Sequence, residues 1–462
     1  MILGGGPCGL AAAWELARSG RRPVVLERES LVGGLCATHE KDGFRFDLGG
    51  HRFVSADAAL SRWLEGLLGD DLLTQERRSV VLHDGRTFKY PLDAADLVKS
   101  LGLGENARAL AGYARARAAR VVRPRPDVSF EDWVTARFGR PLYDTFFGPY
   151  TQKLWGMHPS GISADWAAER ISLLHLGDAL VRMTGLRKSE IRTYARRYRY
   201  PRRGMGQLYE AMAREVRALG GEILTGVTAI SPEVLGKRVV AVCADTPAGP
   251  RRIPVEELLS TIPLTELTRA LRPEATLPTL RFRALTFLNL MLARQDFSEN
   301  TWMYVASGSL AMSRIQEPKR RSADMAPAGQ TSIMLEIPCD VGDGVWNAAL
   351  GDLRQRMGDE LRALGFHVDD VLGAFIVKVA HGYPVYHLGY ERDRQELLRV
   401  VGEFANVRTA GRQGLFRYVF MDAAMQMGVM AARQMMRSER DGGAIDAIGR
   451  ARSTLETRAL TA

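Results

Sequence analysis

Gly4-Gly5-Gly6-Pro7-Cys8-Gly9 follows directly on Met1-Ile2-Leu3 and leads into the helix-like Leu10 to Ser19, then the apolar Pro23-Val24-Val25-Leu26 ending on Glu27. Glycines, helix, strand and acid in this order form the pattern of a dinucleotide-binding βαβ unit. Gly4, Gly6 and Gly9 satisfy GxGxxG; such glycines permit a tight turn and let backbone approach a pyrophosphate, while the helix N-terminus supplies oriented N–H groups. Glu27, about twenty residues downstream, stands where a carboxylate accepts ribose hydroxyls. Three residues are short for a first strand. The sequence therefore predicts either a strand cut short or a start upstream of Met1, at a cost in sheet hydrogen bonds.

Composition sets the wider bounds. With 462 residues, 46% hydrophobic and 25% charged, the chain reads as soluble and globular, which excludes a fibre, a disulfide-held mini-protein and a disordered polymer. The length allows about two to four domains. No apolar run reaches the roughly 18 residues of a membrane span, and the stretch from Leu415 to Ala432 is interrupted by Arg417 and Asp422. Cys8, Cys36, Cys243 and Cys339 are far apart without a CxxC pair, so neither a metal site nor a disulfide framework is expected. No signal peptide pattern is present at the start, and a cytoplasmic setting is expected. The net charge of +10 favours anionic partners without choosing among them.

Further glycines follow Glu27. Leu31-Val32-Gly33-Gly34-Leu35 precedes Phe44-Arg45-Phe46-Asp47-Leu48-Gly49-Gly50-His51-Arg52-Phe53. Together with the first unit, these segments resemble the FAD-contact regions of the flavoprotein group that includes amine oxidases, protoporphyrinogen oxidase and UDP-galactopyranose mutase. The resemblance implies an α/β fold with a Rossmann-like, GR2-type FAD-binding domain, a helical insertion and an antiparallel-sheet substrate domain. It also implies FAD bound non-covalently, because the closing segment offers no Cys or His for a covalent link. A built-in NADPH domain is not expected, since no second GxGxxG occurs. Expected boundaries are residues 1–92, 200–265 and 396–437 for the FAD domain, 93–199 for a mainly helical substrate region, 266–395 for a mixed-sheet substrate domain, and 438–462 for a tail. Val239 to Cys243, Leu258 to Pro263 and Val407 to Ala410 read as strands, and Met421 to Met435 as a helix. Glu317 to Gln330, with Lys319-Arg320-Arg321, reads as a mobile connection.

Pro149-Tyr150-Thr151-Gln152-Lys153-Leu154-Trp155, continuing through Ser163-Ala164-Asp165-Trp166-Ala167-Ala168-Glu169-Arg170, is similar to the helix-loop-helix of UDP-galactopyranose mutases. There the Trp lies in the nucleotide pocket and the Arg binds the pyrophosphate, which implies these roles for Trp155 and Arg170, with Thr151 where the family carries Asn. Arg suits the task because its planar fork gives two charge-assisted hydrogen bonds to phosphate. The same resemblance implies a substrate-facing Tyr304, a second pyrophosphate Arg at Arg314, a further substrate Tyr at Tyr418, and His51 beside the flavin. In the closing segment it implies Arg412 and Asp422 as cofactor contacts, alongside Gly33, Gly34, Gly49 and Gly50. The closing segment lacks the family's amide and His.

Two enzyme readings result. One is a mutase-like flavoenzyme acting on an anionic nucleotide sugar through reduced flavin, with an external reductant. The other is an oxidase or desaturase that removes a hydride from an amine, porphyrinogen or lipid-like substrate. A flavin-binding structural protein is the third. The basic-aromatic run from Arg192 to Arg203 reads as a solvated helix face rather than a nucleic-acid site. Stretches such as Tyr200-Pro201-Arg202-Arg203-Gly204-Met205-Gly206 are also similar to protoporphyrinogen-oxidase-like proteins. Oligomeric state has no signature in the sequence.

Overall fold

The computed structural model describes residues 1–55, 57–90, 102–122, 125–170 and 197–450. The described residues divide into two units: those within 1–75, 198–281 and 391–450 form the first, and those within 76–197 and 282–390 the second.

The first unit is built on a five-stranded sheet. Its order is Val407–Thr409, Leu258–Ser260, Ile2–Leu3, Val24–Leu26, Glu222–Leu224, and every pairing is parallel. The strands are short, and the central ones, Ile2–Leu3 and Val24–Leu26, are wholly apolar, as strands covered on both faces are. Ile2 pairs with both Val25 and Leu259, so the two-residue first strand occupies the centre. Helix Pro7–Arg18 leaves this strand with Pro7 in its first turn, where a missing N–H costs nothing. It lies against helix Met421–Arg437 at such close quarters that a Cβ on Gly428 would stand 2.1 Å from the Cys8 carbonyl oxygen. The unit also carries a three-stranded antiparallel sheet, Ala229–Leu235, Arg238–Thr246 and Gly249–Pro254, and smaller two-stranded ones.

The second unit carries a seven-stranded sheet in the order Val371–Pro384, Phe282–Leu292, Thr331–Cys339, Arg314–Gln316, Trp302–Val305, Ser79–His83, Arg86–Lys89. Side chains alternate across it. Leu288, Leu290, Met303, Val305, Ile315, Ile333 and Leu335 face one way and cluster with Leu353, Met357 and Leu361 of helix Leu350–Ala363. The alternate positions, Phe287, Asn289, Trp302, Tyr304, Arg314, Gln316 and Glu336, form a polar and aromatic face. Helices Leu103–Val122, Phe130–Phe138, Gly148–Trp155 and Ala164–Arg170 make up the helical part, with a π-helical turn at Tyr143–Phe147. Among the described residues, no helix is long and apolar enough to cross a membrane.

Three expectations are corrected. Residues up to 92 were expected in the FAD domain, but Ser79–His83 pairs in parallel with Trp302–Val305 and so belongs to the second unit's sheet. Glu317 to Gln330 is packed rather than a loose connection: Arg321 is fully buried, and Lys319 Nζ donates to the carbonyls of Gln295 and Gln330 at 2.8 and 2.9 Å. The basic-aromatic run is no solvated helix where it is described. Arg197–Pro201 is a strand, Tyr198 and Tyr200 are fully buried, and the Tyr200 hydroxyl donates to Asp47 at 2.6 Å, while Arg199 bonds Thr74 and Glu65. Alternation of Tyr and Arg at period two is the strand signal that reading missed. Residues 192–196 lie outside the described residues.

Candidate active site

In the first unit the glycines build a cradle. Gly4 adopts φ +99°, and Gly6, at φ −78°, starts the helix. Gly33 and Gly34 are left-handed at φ +105° and +53°, and Gly33 N–H donates to the Gly5 carbonyl at 2.8 Å. A Cβ on Gly34 would lie 3.2 Å from Gly6 Cα, so the two glycine segments approach backbone to backbone. A Cβ on Gly9 would collide with the Gly4 carbonyl oxygen at 1.9 Å, whereas one on Gly6 would meet nothing nearer than Gly34 Cα at 3.9 Å. Gly9 is thus required by the chain's own packing. Gly6 is open on the side a pyrophosphate would take, so the residues present fit a dinucleotide.

Glu27 ends the second strand and is buried, its carboxylate accepting from Gly5 N–H at 2.6 Å and Glu29 N–H at 2.9 Å. Burial raises its carboxyl above the usual range against the pull of those two bonds. Lone pairs remain on both oxygens for ribose hydroxyls. His51 is half-buried, two residues past the buried Gly49 at φ +107°, and Gly50 between them is half-buried.

The closing segment of this unit is tightly braced. Arg412 donates through Nε and Nη2 to the Val419 carbonyl at 3.2 and 2.7 Å, and its guanidinium lies 4.2 Å over the Tyr418 ring. Phe416 is buried at φ +47°, a conformation costly for a bulky residue. Its neighbour Arg417 is held by Asp446 at 2.7 Å, and Asp446 also accepts from fully buried Arg394 at 3.2 Å. Asp422, in the first turn of helix Met421–Arg437, is buried, and that burial raises its carboxyl to about 6. The arrangement leaves Arg412 internally bonded, while Asp422 stands at a helix N-terminus suited to anions.

In the second unit, Tyr304 and Arg314 are cross-strand partners, and Arg314 pairs in turn with Glu336. The Arg314 guanidinium lies 5.1 Å over the Tyr304 ring and 3.3 Å from the fully buried Glu336 carboxylate, which also accepts from the Tyr383 hydroxyl at 3.0 Å. Burial works against the Arg314 charge. Glu336 and the phenols of Tyr304, Tyr383 and Tyr150 more than offset it, so its pKa lies well above the ordinary arginine value. Arg314 Nε remains buried without an acceptor. Tyr90 packs on Tyr304 with ring centroids 4.6 Å apart. Sequence reasoning missed Glu336 and Tyr383. The visible signal for Glu336 was a lone carboxylate in the apolar run Ser332-Ile333-Met334-Leu335-Glu336-Ile337.

Thr151 and Trp155 share a buried face of helix Gly148–Trp155. Trp155 is 1% exposed, set edge-on against Trp166 at 4.6 Å and Tyr383 at 6.0 Å, so its ring presents no open face to a base. Arg170 ends helix Ala164–Arg170, and its side chain lies outside the described residues. On the same helix as Trp155, Lys153 Nζ donates to the carbonyls of Val305, Ser307 and Met312 at 2.6, 2.9 and 3.0 Å, and burial lowers its pKa to about 8.

Comparison with known proteins places this geometry. Residues 7–292 match the family described as flavin containing amine oxidoreductase. Chloroplastic protoporphyrinogen oxidase 1 of Arabidopsis thaliana is 28% identical over 174 residues, 35% of this chain and 31% of that protein. Human all-trans-retinol 13,14-reductase is 40% identical over 75 residues, 16% of this chain and 11% of that protein. The chain thus aligns with less than a third of the length of either. Among solved structures, reduced UDP-galactopyranose mutase superposes with a TM-score of 0.82 at 20% identity, covering 98% of both chains. With a family match over more than half of its length and a glycine cradle that fits the cofactor, the chain belongs to the flavin containing amine oxidoreductase family and is an FAD-dependent enzyme.

Proposed function

We propose that this flavoenzyme acts on a small anionic substrate, a nucleotide sugar, in the manner of the mutase it resembles in fold. The observation that carries the reading is Arg314, whose guanidinium is held in one orientation by Glu336 and Tyr304 and keeps an unspent Nε–H. A cation already oriented loses little freedom on meeting a phosphate, and its planar fork suits a diphosphate oxygen pair. Gly4, Gly6, Gly9, Gly33 and Gly34 hold the FAD pyrophosphate in this reading, and Glu27 its ribose. Bound FAD supplies the electron-rich or hydride-accepting centre, depending on its redox state. Within the second unit Arg314 and Arg170 anchor the substrate diphosphate and Tyr304 borders the sugar; within the first, Asp422 and Arg412 support the cofactor, with Tyr418 packed on Arg412. Trp155 then acts from behind, by fixing Trp166 and Tyr383.

One observation favours hydride removal from an uncharged substrate. Glu336 already neutralises Arg314, and the surrounding Tyr90, Tyr304 and Tyr383 are aromatic. Purified holoenzyme assayed with nucleotide sugars under dithionite, and with amines and porphyrinogens in air, separates the two. Ring-isomerised sugar without peroxide supports the nucleotide-sugar reading. Peroxide released only with amines or porphyrinogens replaces it with the oxidase.

A further inference from the structure

Helix Leu103–Val122 has an unusual solvent face. Asn106, Ala109, Gly112, Tyr113 and Ala116 are half-buried and fall on one side, where the helix packs on Phe130–Phe138 and Arg140–Leu142. A Cβ on Gly112 would stand 2.5 Å from the Pro141 ring, which fixes that side inward. The opposite side should be polar in a surface helix. Instead it presents Leu103, Leu110, Val121 and Val122, exposed by 92, 55, 84 and 76%, with exposed Ala107, Ala111, Ala114 and Ala118 between them. At 1.5 Å per residue this stripe runs for about 29 Å.

The flanks of the stripe are basic. Arg108, Arg115 and Arg117 are exposed, and none of them forms an ion pair among the described residues. The only acidic side chain on the helix, Glu105, is taken up by Arg86 at 2.9 Å and by Gly102 N–H at 2.8 Å. An apolar stripe edged by arginines that form no ion pair among the described residues, on a helix too polar to span a bilayer, fits the headgroup boundary of an anionic membrane. The stripe enters the acyl region and the arginines meet phosphate.

We propose that the solvent face of Leu103–Val122 docks the enzyme reversibly on anionic lipid. The inference is independent of the substrate. A protein partner would need a complementary acidic surface, whereas a bilayer supplies both the apolar layer and the anionic charge at once.

The test uses FAD-loaded full-length protein and sedimentation with vesicles of phosphatidylglycerol mixed into phosphatidylcholine, or phosphatidylcholine alone. Wild type should sediment with the anionic vesicles at least about tenfold more than with the neutral ones, and lose most of this in raised salt, as charge-driven docking does. Leu110→Asp with Val121→Asp should cut sedimentation about tenfold, and so should Arg108→Ala, Arg115→Ala and Arg117→Ala combined. All five positions are exposed, so an unchanged flavin spectrum and circular dichroism will certify the fold. No sedimentation of wild type with anionic vesicles overturns the proposal. Variants that sediment as well as wild type also overturn it. A dimer in lipid-free ultracentrifugation that Leu110→Asp dissolves would assign the face to a second copy of the chain instead.

Discussion

Arg314→Ala should be the most damaging single change on the polar sheet face, for a reason separate from substrate binding. Glu336 is fully buried, with Arg314 at 3.3 Å and the Tyr383 hydroxyl at 3.0 Å as its partners. Removing the guanidinium strands a buried carboxylate, which costs about 3–5 kcal/mol. Glu336→Gln leaves a cation with tyrosine neighbours instead, and should cost about 1.5–3 kcal/mol. The pair Arg314→Met with Glu336→Leu removes both charges together and should fall close to wild type, because an apolar replacement offsets the desolvation cost. The melting temperature of the apoprotein reads these differences at about 2–4 °C per kcal/mol, so Arg314→Ala should fall by about 6–20 °C. If Arg314→Ala melts within about 2 °C of wild type, or the double variant is worse than both singles, the pair is not the buried, coupled unit described.

Three further outcomes are expected. Gly6→Ala should give apoprotein of normal stability that retains no flavin, while Gly9→Ala should lose both, since only the latter meets its own backbone; equal flavin in Gly6→Ala and wild type would remove Gly6 from the cofactor cradle. Asp422, raised from 3.8 to about 6, prefers its protonated form in the fold, so its contribution is complete below pH 3.8 and is lost as pH rises through about 6. Asp422→Asn should therefore flatten the stability slope across that window, worth up to about 3 kcal/mol, and raise the melting temperature of the apoprotein at about pH 8; an unaltered slope contradicts the assignment. Lys153→Met should leave the carbonyls of Val305, Ser307 and Met312 without their shared donor, at about 1–3 kcal/mol for each group left unsatisfied, and a melting temperature equal to wild type would show that solvent replaces it.

What the sequence disclosed and what it hid follow the range of the forces involved. Gly4, Gly9, Gly33 and Gly34 were legible because a left-handed φ or a backbone collision leaves glycine alone as a solution. The strand Leu258–Ser260 was legible from its apolar start, Val407–Thr409 from β-branched residues before the Gly411-Arg412 turn, and helix Met421–Arg437 from helical spacing. Burial was not. Trp155 has the motif position of a pocket residue, yet Trp166, from the next helix, and Tyr383, from a distant part of the chain, close over it. Arg314 was expected from a local match, but its partner Glu336 lies on the next strand and is paired by sheet register. The Glu317 to Gln330 connection looked mobile because of its charges. Those charges turn inward, with Glu317 accepting from the backbone N–H groups of Phe297 and Ser298 at 2.9 and 2.7 Å.

The central claim is that Arg314 grips a diphosphate. Calorimetric titration of holoenzyme with UDP, and with other nucleoside diphosphates, tests it most directly when repeated on Arg314→Lys, which keeps the charge opposite Glu336 but loses the planar fork. The account predicts saturable binding tighter than millimolar by wild type and a loss of about 1.5–3 kcal/mol, roughly tenfold to 150-fold, in the variant with the flavin spectrum intact. Absence of nucleotide binding by wild type at millimolar concentration, or equal binding by Arg314→Lys, would contradict it.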